Sequence, residues 1–158
     1  MFPIALNKPF HSIVRGLIFL YNLSNERVIL MANYVSYNSN PDKNRVGDCT
    51  VRAISSLLGK EWDEVYIGLA VMGFIMRDMP SSDAVWGAYL RRNGCERNVI
   101  PNDLPSDYTV REFCEDFPSG EYILAIPGHV VYAADGKYYD TWDSGSEIPL
   151  YYWRRKDS

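Results

Sequence analysis

The chain has 158 residues, 47% apolar and 23% charged, which suits one globular domain large enough to bury a core. Its net charge of −4, with no extended Lys/Arg run, argues against nucleic acid as a partner. Three widely spaced cysteines (Cys49, Cys95 and Cys114) make neither a disulfide framework nor a C-x-x-C metal motif, so a reducing, cytoplasmic setting with no metal and no cofactor is expected.

Residues 1–30 mix apolar runs without clear caps. The apolar stretch at 13–23 is too short to span a bilayer, and the small-residue cleavage pattern of a signal peptide is missing, so no membrane association is expected. From Asn33 onward the chain becomes well punctuated. Two readings of the first segment stand together: an extension ahead of a natural start at Met31, or a helix packed on the domain. Residues 31–158 are expected to form the single domain.

Tyr34-Val35-Ser36-Tyr37 is strand-like, and the Asn-rich stretch 38–44 is a loop. A helix is expected over Cys49–Leu58, where Val51, Ile54, Leu57 and Leu58 recur at helical spacing and Gly59 supplies the stop. A second helix, 61–76, places Trp62, Val65, Tyr66, Leu69 and Met72 on one face. A third, 84–92, follows Pro80-Ser81-Ser82-Asp83 and ends at Asn93-Gly94. Asp63, Glu64 and Asp83 read as acids that complement helix N-termini. A short strand near 98–101 is expected, and Thr109-x-x-Glu112 is a capping-box signature for a short helix through Glu115.

The last third changes period. Glu121–Ile126, His129–Ala134, 137–142 and 150–153 are short, aromatic-rich and β-branched, and turn signals separate them. Three successive hairpins predict an antiparallel sheet, and helices followed by strands predict an α+β fold.

Cys49 stands at the expected helix N-terminus, behind Gly47 and Asp48. A helix N-terminus and a nearby imidazolium both favour the thiolate, the reactive form of cysteine. The unpaired N–H groups there also suit an oxyanion, and Gly47 allows a sharp turn and close approach by substrate. Taken alone, Cys49 suits a buried packing residue better, and the pairing with a strand histidine is what changes that. The chain has only two histidines, and His11 lies in the N-terminal segment, so His129 is the natural base. If Asp135-Gly136 forms a two-residue type I′ turn, Ala134 opposes Lys137, and residues 129, 131, 138, 140 and 142 share one face. Asp140 is then the diagonal neighbour of His129. A three-residue loop would instead bring Asp143 to His129.

The segments Gly47-Asp48-Cys49-Thr50-Val51-Arg52-Ala53, Gly128-His129-Val130-Val131 and Tyr139-Asp140-Thr141-Trp142-Asp143 together resemble the papain-like cysteine peptidase superfamily. They are also similar to small cysteine-peptidase-like proteins carried by phages of gut bacteria. The resemblance spans about residues 33–153. It implies a papain-like arrangement, with N-terminal helices, one carrying the cysteine, packed on a C-terminal antiparallel sheet. It implies Cys49 as nucleophile, His129 as general base and then acid, and Asp140 as the group that orients the imidazole. The superfamily usually adds a Gln before the cysteine as an oxyanion donor. This chain has no Gln, and Asn44 is the only amide close upstream.

The expected function is therefore a cysteine-dependent hydrolase (peptidase, isopeptidase or amidase) acting on a peptide or protein through a thioester. The alternative is an inactive binding module of the same fold that sequesters a host protein or peptide. A phage-borne version of either would work in the host cytoplasm.

Overall fold

The computed structural model describes residues 33–101 and 103–156, all within one compact unit, Ala32–Ser158. Both readings of residues 1–30 lie outside the described residues. In chain order the elements are β1 (Tyr34–Ser36), α1 (Cys49–Leu58), α2 (Trp62–Met76), α3 (Asp83–Arg92), β2 (Cys95–Val99), α4 (Val110–Asp116), β3 (Glu121–Ile126), β4 (His129–Ala134), β5 (Lys137–Asp140) and β6 (Tyr151–Arg155). The fold is α+β, with four described helices and one six-stranded mixed sheet in the order β1-β5-β4-β3-β6-β2.

Local chemistry explains most boundaries. Helix α1 ends at Gly59, whose left-handed φ of 62° closes the last turn. Ser82 caps α3 by accepting from the Val85 N–H at 3.4 Å. Thr109 and Glu112 form the reciprocal capping box of α4. The β4–β5 turn has φ 49° at Asp135 and 76° at Gly136, the two positive values that a type I′ turn requires. Its register, Ala134↔Lys137, is the one the two-residue loop predicts. The β3–β4 turn pairs Ile126 with His129 across Pro127-Gly128, with Gly128 at φ 70°.

Two features of the sheet correct the sequence expectation. The sheet is mixed, because β1 enters one edge parallel to β5. The third hairpin does not form: β6 pairs with β3 and β2, not with β5. Residues 141–150 are too long for a tight turn. They carry the chain past β4 and β3 so that Tyr151 and Trp153 can bury beside Trp86 of α3. The strand expected near 98–101 lies earlier, at Cys95–Val99 on the far edge.

Helices α1, α2 and α3 share one apolar core with the sheet. Val51, Ile54, Leu57, Val65, Leu69 and Trp86 meet Ile123, Ala125, Val130, Tyr151 and Trp153. The opposite face is covered by Tyr108, Val110, Phe113 and Cys114, which pack on Leu124, Val131, Ala133 and Tyr138. Alternation along β4 explains the split, since Val130 faces the first core and Val131 the second. Ile54 and Leu57 are fully buried, and each contributes roughly 1.5–3 kcal/mol to holding α1 on the sheet. On α2, Val65, Leu69 and Met72 are buried, whereas Tyr66 is about half exposed and stacks on Trp62 at 5.0 Å.

Candidate active site

The N-terminus of α1, the start of β4 and the end of β5 meet at one end of the sheet. There the thiol of Cys49 lies against the His129 ring and the backbone N–H of Val130, and both favour its anion. His129 Nε2 lies 2.7 Å from Asp140 Oδ2, which leaves Nδ1 for the thiol. Asp140 is 3% exposed and its oxygens are fully engaged. Oδ1 accepts from the Thr141 N–H at 2.7 Å, and Oδ2 also accepts from the Ser144 hydroxyl at 2.9 Å. The indole of Trp142 lies beside His129, with ring centroids 5.5 Å apart.

The three residues come together, but not on a shared sheet face. Val131 and Tyr138, which alternation groups with His129 and Asp140, pack in the core under α4. His129 meets Cys49, and Asp140 meets His129, because both stand at the ends of their strands, where side chains are free to turn toward α1. Asp143 does not partner His129. Its carboxylate accepts from Tyr138 Oη at 2.5 Å and from the Gly145 N–H at 3.1 Å, with Arg111 at 3.7 Å.

Burial alone would raise the Cys49 pKa, since it disfavours the anion. The hydrogen bond and charge of His129, the Val130 N–H and the Thr50 hydroxyl outweigh it, and the thiol pKa is lowered. Burial likewise opposes the charged imidazole, yet the bonds and charges of Asp140 and Cys49 raise His129 from 6.5 to about 9. Both shifts favour a thiolate–imidazolium pair at neutral pH. The other two thiols differ. Burial raises Cys95, and burial together with Glu115 pushes Cys114 to about 12, so both behave as packing residues.

Sequence reasoning missed Arg52 and Ser144. Arg52, one turn after Cys49 and 8% exposed, bridges two buried carboxylates. Its Nε lies 2.9 Å from Asp48 Oδ1, although the N–H is misaligned for a hydrogen bond, and Nη1 lies 3.9 Å from Asp140 Oδ1. The available signal was an arginine among the apolar positions of an amphipathic helix. Asp48 is the N-cap residue of α1 but makes no cap bond. Its Oδ2 instead accepts from Asn40 Nδ2 and Trp62 Nε1, both at 3.1 Å. Arg52 N–H is the first to bond back, to Asp48 O at 3.0 Å, so the preceding N–H groups are without helical partners. Free N–H groups of this kind at a helix start suit an anionic oxygen.

Of two expectations about the loop before Cys49, the one for Asn44 is corrected and the turn at Gly47 is present. Asn44 is exposed, does not line the cleft, and contributes its backbone carbonyl to Asn38 Nδ2 at 3.2 Å. The Asn-rich loop folds on itself and turns that amide away. Gly47 is the centre of a sharp turn that the Asp48 N–H closes on Val46 O at 2.8 Å, but its φ is not left-handed, so the turn does not require a glycine. A Cβ there would meet nothing within 4 Å, and Gly47 is simply an open part of the cleft wall.

The cleft has a volume of about 610 Å³ and takes in Cys49, His129 and Trp142. Among the described residues no group of three or more His, Cys, Asp or Glu side chains is placed to hold a metal ion. Among them, too, no helix is long and apolar enough to cross a membrane. No protein-family model, no curated protein and no solved structure matches this chain.

Proposed function

We propose that this protein is a papain-like cysteine hydrolase that cleaves a peptide, isopeptide or related amide. The observation that carries the reading is the row of Cys49, His129 and Asp140, with the thiol against the imidazole and the imidazole bonded to the carboxylate at 2.7 Å, opening on a cleft. The Cys49 thiolate adds to the substrate carbonyl, and the carbonyl electron pair moves onto oxygen beside the unpaired N–H groups of α1. When the tetrahedral adduct collapses, the C–N bond breaks and the His129 imidazolium protonates the departing amine. A thioester remains. Neutral His129 then takes a proton from water, hydroxide adds to the thioester, and the C–S bond breaks to give a carboxylic acid and the original ion pair. Asp140 orients the ring and stabilises its charged form throughout. A thiol nucleophile fits the reducing cytoplasm, of the host if a phage carries the chain.

The second reading is a binding module of the same architecture, and one observation favours it. Among the described residues no Asn or Gln side chain lines the cleft, so the usual amide oxyanion donor is missing. The pH dependence of iodoacetamide alkylation at Cys49, in wild type and His129→Ala, separates the two. A pKa well below 8 that rises in the variant supports the hydrolase. An ordinary pKa near 8.5, unchanged by the variant, supports the binding module.

A further inference from the structure

We propose that Asp83 is a specificity residue, selecting substrates that carry a cationic side chain next to the scissile amide. The inference rests on the hydrolase reading and names its substrate class. Asp83 is the first residue of α3 and lines the same cleft as Cys49 and His129.

Its carboxylate is held in place by two buried aromatic residues. Trp86 Nε1 donates to Oδ1 at 3.1 Å, and Tyr151 Oη donates to Oδ2 at 2.8 Å. Burial, together with the bond to Asp83, raises the Tyr151 phenol to about 12, so it remains a donor across the working pH range. Two neutral donors orient a carboxylate without cancelling its charge. Among the described residues no Lys or Arg forms an ion pair with Asp83, and the Arg97 guanidinium lies over the Tyr151 ring instead. The site's two other carboxylates, Asp48 and Asp140, are buried and share Arg52. Asp83 is exposed, and its charge is available to a ligand.

A role in stabilising the helix explains part of this arrangement but not all of it. An acid in the first turn suits the helix dipole. The N-cap is already made by Ser82, however, and Tyr151 comes from a strand 68 residues away. The walls beside Asp83, from Trp86, Tyr151 and Leu150, are largely apolar and aromatic. Such walls accept the methylene stem of a lysine or arginine while the carboxylate takes its charged end.

The test uses the full chain and three thiol reagents, with modification read at Cys49 by mass spectrometry. Aminoethyl methanethiosulfonate is cationic, sulfonatoethyl methanethiosulfonate is anionic, and iodoacetamide is neutral and monitors the thiolate itself. The cationic-to-anionic rate ratio at low salt should fall about fivefold in Asp83→Asn, the order expected for removing one nearby charge in a cleft. It should fall similarly in Ser81→Lys, an exposed cleft-wall change that leaves the Asp83 bonds in place, and hold in Asp83→Glu. A ratio that changes less than twofold in both charge-altering variants, with iodoacetamide still reporting a low thiol pKa, would overturn the role of Asp83 alone. A Cys49 with an ordinary thiol pKa, or one that no reagent modifies, would overturn the hydrolase reading and this inference with it.

Discussion

Asp140→Asn isolates one charge at the centre of the site. The asparagine keeps an oxygen that can accept from His129 Nε2, now 2.7 Å from the carboxylate, and from the Ser144 hydroxyl. What disappears is the negative charge. His129 stands at about 9 against an ordinary 6.5, and Asp140 and Cys49 share the work of raising it against burial. The bond to Asp140 is the largest of the causes that raise it, so the variant's imidazole should titrate at least about one pH unit lower, and each such unit is roughly 1.4 kcal/mol of imidazolium stabilisation. NMR titration of the ring protons measures this directly, because the chain has only two histidines and His129→Ala identifies the relevant signal. Iodoacetamide alkylation of Cys49 at pH 6 should slow in parallel, as the thiol regains its proton. A His129 pKa that stays near 9 in the variant would refute the argument that the carboxylate charge sustains the ion pair. A wild-type value near 6.5 would refute the pair itself.

The linkage between charge and stability gives a second test. In Cys49→Ser the imidazolium has no thiolate to balance it, and the folded state binds a proton that the unfolded state releases near pH 6.5. Its stabilisation is fully present below 6.5 and lost as pH rises through the raised pKa, a fall of about 1–2 kcal/mol in urea unfolding between pH 6 and 9. In wild type the folded pair and the unfolded chain each hold one proton between pH 7 and 8, so stability there should be flat; a flat Cys49→Ser profile would contradict the assignment. Arg52→Leu should cost about 3–5 kcal/mol by leaving Asp48 and Asp140 buried without their shared cation, and a loss under about 1 kcal/mol in the same assay would show that the guanidinium is dispensable. Ser144→Ala removes a buried hydrogen bond to a charged acceptor and should cost about 1.5–3 kcal/mol by thermal or urea unfolding. Asn44→Ala should leave the rate and pH profile of Cys49 alkylation within about twofold of wild type. A larger change would return that amide to the site.

The buried ionic network bears on how the site is assembled. Asp48, Arg52 and Asp140 connect the cap of α1, its second turn and the end of β5. Two buried acids around one arginine suit a geometric constraint better than a source of net stability, because desolvation offsets much of the attraction. By drawing the Asp48 carboxylate toward Arg52, Asn40 and Trp62, the network leaves the helix start uncapped beside the thiol.

The sequence by itself determined the features governed by near neighbours. The α1 boundaries follow from apolar spacing and the Gly59 stop. The capping box of α4 and the type I′ turn at Asp135-Gly136 follow from side-chain and backbone preferences within four residues. That turn set the β4–β5 register and so made Asp140, not Asp143, the partner of His129. Only the tertiary structure decided what depends on distant contacts. Pairing of β1 beside β5 joins Ser36 to Asp140, and β6 chose β3 over β5 because its aromatic side chains bury against α3. Arg52, Ser144 and Asp83 look ordinary in a linear reading, as a helix-face cation, a loop hydroxyl and a helix-start acid. Each takes its role from a partner on another element, and a one-dimensional pattern of spacing carries no information about which carboxylate, ring or thiol will lie across the gap.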